Sequence, residues 1–225
     1  MSYHAIPSCT AGINMADKSN IKHIDPVAKY NRVAGIYDLL DWPLEILIVK
    51  RIRRRIFDGV SGKVLEVGVG TGKNIGFYPK SASVIAIDAS PQMIAVAHKK
   101  YPKANLQVMD AKKLRFASGS FDHVISTLTL CSVDDPLAVL SEIRRVLKNN
   151  GSIHLLEHVR SSHRSIAGLQ DFLNPVTRTI IGCNVNRNTQ EYIEKAGFRV
   201  SEMKIVALAD IFRIFLCKKT ASPLD

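Results

Sequence analysis

Acidic side chains, cysteine and aromatic residues are all in short supply in this chain of 225 residues, and each shortage excludes something. Its four cysteines, Cys9, Cys131, Cys183 and Cys217, form no C-x-x-C pair, so neither a zinc site nor a disulfide framework is indicated and reduced thiols are expected. Residues 1–20 lack the basic start and apolar run of a secretory signal. No uninterrupted apolar stretch approaches the length of a bilayer span. The expectation is therefore a soluble, cytoplasmic protein, at most peripheral to a membrane. With 20 acidic residues against 31 Lys and Arg, the net charge is +11, which attracts anionic partners without choosing among them. No basic stretch is interleaved with aromatics, which argues against nucleic acid as the partner.

What is present is enough apolar material, 46% of the chain, for one sizeable core. Residues 1–24 are polar and aperiodic and read as a flexible tail, leaving 25–225 as a single domain. Residues 25–57 turn helical, with a break near Asp41-Trp42-Pro43 and an apolar stripe of Leu44, Ile48, Ile52 and Ile56. Short apolar runs at 64–67, 84–87, 106–109, 123–126 and 152–156 then alternate with helical stretches, the pattern of a parallel sheet covered on both sides. A helix over 136–147 is expected to stop at Asn149-Asn150-Gly151, residues that tolerate left-handed backbone. Regular alternation lapses for about thirty residues, and 158–188 reads as an insertion serving the acceptor site. A short helix at 189–196 follows, and 200–208 with 211–217 form an antiparallel edge. The fold class is α/β, with a mostly parallel central sheet, an antiparallel C-terminal edge and N-terminal helices.

The strand at 64–67 runs directly into Gly68-Val69-Gly70-Thr71-Gly72. Such a turn brings backbone close to a ligand. A dinucleotide fingerprint would need glycine at 73, where Lys73 stands, so a nicotinamide-dependent dehydrogenase is disfavoured. About twenty residues after Gly68 a second strand ends at Asp88-Ala89, where a carboxylate can accept both hydroxyls of a ribose. A third ends near Asp110-Ala111, where an ionised carboxylate can accept a hydrogen bond from an adenine amino group.

On these residues the chain resembles the class I S-adenosylmethionine-dependent methyltransferases over roughly 30–198, and the resemblance implies their Rossmann-like fold and their cofactor. It matches Glu66, Gly68, Gly70 and Gly72 to the first motif, Asp88 to the ribose acid and Asp110 to the adenine-side acid. Ser126 and Thr127 would flank the methionine part of the cofactor. Segments 74–79, 127–133, 156–159 and 182–187 resemble the animal alkyl-thiol methyltransferases, which methylate sulfide and small thiols. Leu65 to Gly72, Asp88 and Tyr37-Asp38 also resemble the bacterial phosphatidylethanolamine N-methyltransferases, whose acceptor is a lipid amine. A quinone C-methyltransferase is the weaker third alternative.

Metal is not required for methyl transfer, whereas a positioned nucleophile is. His158, just past the fifth strand, is the candidate to take a proton from the acceptor, with Glu157 to orient it. Tyr30 and Tyr37 are candidates to close over the cofactor, and Cys183 and Arg187 to meet the acceptor. The helix over 44–57 carries Lys50, Arg51, Arg53, Arg54 and Arg55 beside its apolar stripe. It is thus a candidate for peripheral contact with an anionic membrane.

Overall fold

The computed structural model describes residues 26–38, 50–180, 182–207 and 210–220. The expected tail, the break at 41–43, Leu44 and Ile48 lie outside these. Helix α1 spans Pro26–Val33, and a short α2 (Lys50–Arg53) tightens into a 3-10 turn over Arg54–Phe57. The alternating body follows: β1 (Gly62–Val67), β2 (Ala82–Asp88), α3 (Pro91–Lys100), β3 (Asn105–Val108), β4 (Phe121–Thr127), α4 (Pro136–Val146) and β5 (Leu147–His158). Then come α5 (Arg164–Ile180), α6 (Thr189–Lys195), β6 (Phe198–Ala207) and β7 (Phe212–Lys219).

One seven-stranded sheet has the order β3-β2-β1-β4-β5-β7-β6. Strands β1 to β5 are mutually parallel, and β7 runs antiparallel to both β5 and β6. The register sets Val67 beside Ile87 and Ser126, so the carboxyl ends of β1, β2 and β4 come out level. Strand order reverses at β1, and the crevice outside the carboxyl ends at such a reversal is where open α/β sheets bind ligands.

Alternation along each strand divides the core in two. Leu65, Val124 and Leu155 point to one face, where Leu140 and Ile143 of α4 cover them. Their neighbours Val64, Ile125 and Leu156 point to the other, where Ile52, Ile56 and Phe57 pack. Local chemistry starts the covering helices: Ser90 accepts the N–H of Met93 at the head of α3, Asp135 accepts that of Ala138 at the head of α4, and each has proline in its first turn.

Three expectations change. Helix α4 stops at Val146 and β5 begins at Leu147, running through Asn149-Asn150-Gly151 instead of starting after it. Pairing jumps from Phe121 with Leu147 to His123 with Ser152, so the Asn-Asn-Gly segment is a bulge. Gly151 is needed there for space, because a Cβ would lie 2.7 Å from the carbonyl oxygen of Asp122. Second, much of the supposed irregular insertion is α5, a 17-residue helix containing Pro175 and Gly168, two residues that mask helical character in a sequence. Third, Arg53 does not join an exposed basic face: it is buried, while Lys50, Arg54 and Arg55 are exposed. Among the described residues no helix is long and apolar enough to cross a membrane.

Candidate cofactor and acceptor site

A cavity of about 350 Å³ opens at the carboxyl edge of β1, β2 and β4. Its floor is the glycine turn, closed by the N–H groups of Gly68 and Val69 donating to the Ile87 carbonyl. Gly68 sits at φ 76°, and a Cβ there would lie 2.1 Å from Thr129 Oγ1, so both conformation and space demand glycine. At Gly70, φ 54°, a Cβ would meet nothing, and the backbone faces open volume.

Asp88 is tied to this turn. Its Oδ2 accepts the N–H of Gly70 at 2.9 Å and its Oδ1 that of Ser90 at 2.8 Å. Asp88 also lines the cavity, and an ionised carboxylate has acceptor sites beyond those its backbone N–H partners take, which suits a pair of vicinal hydroxyls. Burial raises the Asp88 pKa, and the N–H groups of Ser90, Gly70 and Ala89 oppose the rise. Asp110 lines the same cavity from the end of β3, with Oδ1 accepting the Lys112 N–H at 2.9 Å and Oδ2 available to a ligand. Ala89, Ala111 and Thr127 line it too.

Glu66 lies behind the cavity rather than in it. Fully enclosed, it accepts from Asn74 Nδ2 at 2.8 Å and from the Tyr78 hydroxyl at 2.9 Å. Asn74 also donates to Thr127 Oγ1 at 3.0 Å and accepts from Arg53 at 2.5 Å. Burial lifts the Glu66 pKa to about 7, against the lowering influence of Tyr78, Asn74 and the Arg53 charge. This network fastens α2 and the segment after the glycine turn to the end of β4. Gly72 and Ser126 also lie off the cavity lining, and the Ser126 hydroxyl is buried without a hydrogen-bond partner.

Val27, Tyr30 and Tyr37 of the N-terminal segment wall the same cavity. Tyr30 donates to Ser132 Oγ at 2.8 Å, and its ring lies 6.1 Å from that of Tyr37. Burial drives the Tyr30 pKa upward, so the phenol stays neutral. Asp38, which accepts from Thr71 Oγ1 at 2.6 Å and pairs with Lys100, pins the segment across the glycine turn.

The loop after β4 is shaped by a residue given another role from sequence. Glu157, wholly buried, accepts the N–H groups of Thr129 at 3.1 Å, Leu130 at 3.0 Å and Cys131 at 3.2 Å. Burial raises its pKa to about 7, opposed by those N–H groups and by Arg187. It cannot orient His158, because neighbours on a strand point to opposite faces. His158 lies edge-on to Phe212, its Nδ1 has no hydrogen-bond partner, and burial lowers its pKa to about 4. It does not line the cavity. Arg187 is spent on the Leu130 and Val133 carbonyls, the latter at 2.8 Å, so it holds the loop instead of waiting for an anionic acceptor. Cys183 stands beside Cys131, outside the lining. Sequence reasoning gave no role to Ser132, Thr129 or Lys112, which do line the cavity, or to Asn74 as a brace. Asn74, Thr129 and Ser132 fell in the segments that resemble the alkyl-thiol methyltransferases, and Lys112 was signalled only by its place next to a strand end.

Residues 65–155 match the family described as a methyltransferase domain. The chain is 37% identical over 159 residues to the human thiol S-methyltransferase TMT1B, covering 65% of this chain and 64% of that protein. It is 33% identical over 125 residues to the phosphatidylethanolamine N-methyltransferase of Cereibacter sphaeroides, covering 53% of this chain and 62% of that protein. The chain thus spans just under two thirds of the length of these relatives. Among solved structures it is similar to an S-adenosylmethionine-dependent methyltransferase of Thermotoga maritima, with a TM-score of 0.68 at 18% identity over 86% of this chain and 99% of the other. At that identity the likeness speaks for the fold alone.

Proposed function

We propose, for a chain that carries a methyltransferase domain over residues 65–155 on the class I S-adenosylmethionine-dependent methyltransferase fold, that it transfers a methyl group to sulfide or a small thiol. The cavity residues suit that cofactor: paired acceptor oxygens on Asp88, an exposed carboxylate on Asp110 and an open backbone at Gly70. S-adenosylmethionine, when bound, supplies a methyl group on a sulfonium sulfur, open to displacement in line.

The observation that carries the thiol reading is the composition of the cavity lining. Among the described residues lining the cavity there is no histidine, and its carboxylates other than Asp88 and Asp110 reduce to Asp134, which is paired with Lys112 at 3.1 Å. A free thiol, with a pKa of about 8.5 in cysteine, is partly ionised at neutral pH and attacks as thiolate, so it needs no strong base from the protein. A lipid ammonium must lose a proton before it can attack, and the carboxylates of the lining are the two matched to the cofactor and Asp134, which is paired with Lys112. Tyr30, Tyr37 and Leu128 therefore act by positioning and by excluding water, with the neutral Tyr30 phenol held on Ser132.

Similarity to the phosphatidylethanolamine enzyme supports methylation of a phospholipid amine as a second reading. A label-transfer assay separates the two: methyl-labelled S-adenosylmethionine with sulfide, an alkyl thiol, a quinone or phosphatidylethanolamine vesicles, and Asp88→Ala as the control. Label in a thioether or volatile product supports thiol transfer. Label confined to phospholipid or quinone refutes it.

A further inference from the structure

Helix α5 is built inside out. The side it turns toward the protein buries Ala167 and a polar residue, Gln170, which donates to the carbonyls of Val159 at 3.0 Å and Val185 at 2.7 Å and accepts the Ser161 N–H at 2.8 Å. Asn174 lies on the same inward side one turn later, with its Oδ1 buried and without a partner. The side it turns outward is apolar. Leu169, Phe172, Leu173, Val176 and Ile180 recur at helical spacing and are all exposed, Phe172 by 79% and Ile180 by 73%. Single exposed apolar residues are ordinary, but a continuous stripe along about three turns marks a surface meant to be covered.

We propose that this stripe docks α5 onto an anionic lipid bilayer. Charge chooses the occupant. Arg164 and Arg178 stand exposed at the two ends of the helix, and its one acid, Asp171, is neutralised by Arg160 at 2.8 Å. An apolar stripe on a helix that carries its arginines off the stripe is the pattern of a helix lying in a membrane interface, where each cation gains from anionic headgroups. A second copy of the chain fits less well. Two proteins of net charge +11 repel one another, whereas an anionic bilayer attracts each.

The docked helix would present the cavity to the membrane. Its last residue is two positions from Gly182, where a Cβ would lie 3.9 Å from the Tyr30 ring, and Lys29 donates to the Arg178 carbonyl at 2.7 Å. Tyr30 walls the cavity, so a lipid-soluble acceptor would reach it directly; this step alone rests on the function proposed above.

The test needs no enzymatic activity. The full chain is sedimented with phosphatidylcholine vesicles, with and without phosphatidylglycerol, as wild type, as the double variant Phe172→Asp with Ile180→Asp, and as Ile205→Asp, a control at an exposed apolar residue on β6. Wild type and control are expected to bind the anionic vesicles, and the double variant to bind at least about tenfold more weakly. In parallel, Phe172→Trp should gain blue-shifted emission on adding those vesicles beyond that of wild type, a readout that does not depend on the double variant folding. Failure of wild type to bind, equal binding by the double variant, or no added shift in Phe172→Trp overturns the proposal. A dimer that the double variant dissolves while vesicle binding persists assigns the stripe to a second copy. A lowered melting temperature with binding retained assigns it to the chain's own residues. Either result overturns the proposal as well.

Discussion

Removing the Glu157 carboxylate should loosen the cavity from behind, and by an amount that depends on pH in a defined direction. In Glu157→Ala three buried N–H groups, those of Thr129, Leu130 and Cys131, lose their acceptor. Each orphaned group costs roughly 1–3 kcal/mol, and because the loop can relax and share one water, a total of about 3–5 kcal/mol is expected where Glu157 is protonated. The folded pKa of about 7 stands above the ordinary 4.5, so the stabilising contribution is full below pH 4.5 and declines as pH rises to about 7. A shift of that size is worth about 3 kcal/mol, so the gap between wild type and variant should be wide at pH 5 and narrow to about 0–2 kcal/mol at pH 8. Glu66 has a similar shift but is common to both proteins and cancels. Urea unfolding at pH 5, 6, 7 and 8 measures the gap. Because Thr127 to Thr129 line the cavity, affinity for S-adenosylmethionine, read by calorimetry, should also fall by at least about tenfold, the equivalent of one lost contact. A gap that widens with pH, or a variant with unchanged stability and cofactor affinity, would refute the reasoning.

Gly68→Ala should abolish measurable cofactor binding, since the new Cβ meets Thr129 in a left-handed backbone; a variant whose cofactor affinity equals wild type would contradict the clash. Asn74→Ala takes from buried Glu66 one of its donors and from buried Arg53 one of its acceptors and should lower stability by about 2–4 kcal/mol in urea unfolding, a loss under about 1 kcal/mol meaning that water replaces the amide without penalty. His154 and His158 are both held neutral by burial, with folded pKa values of about 4 against 6.5. Their stabilising contribution is present above pH 6.5 and is lost as pH falls toward 4, up to about 3 kcal/mol each. His158→Leu should therefore flatten the acid side of the stability profile, and a profile that superposes on wild type would count against a buried neutral imidazole.

Legibility followed the range of the interactions. Strands β1 to β5 were visible because each is a short apolar run bounded by turn residues. Asp88 and Asp110 were visible because a strand end is a local feature, and both line the cavity. Helix α5 was hidden because Pro175 and Gly168 speak against a helix, and because its inward side buries the polar Gln170 while its apolar stripe faces outward, the reverse of the usual pattern. The bulge at Asn149-Asn150-Gly151 looked like a helix stop because those residues favour either, and contact with Asp122 on the neighbouring strand decides between them.

The sequence by itself determined the sheet, the glycine turn and the acids on its carboxyl edge, since hydrophobic period and turn chemistry act over a few residues. Only the tertiary structure decided which charged groups face the cavity. Glu66, Glu157, Arg53 and Arg187 carry the residue types of a catalytic site, yet each is consumed by distant backbone or side-chain partners. A buried polar group must find its partner wherever the fold places one, and that partner is not encoded in the residues beside it.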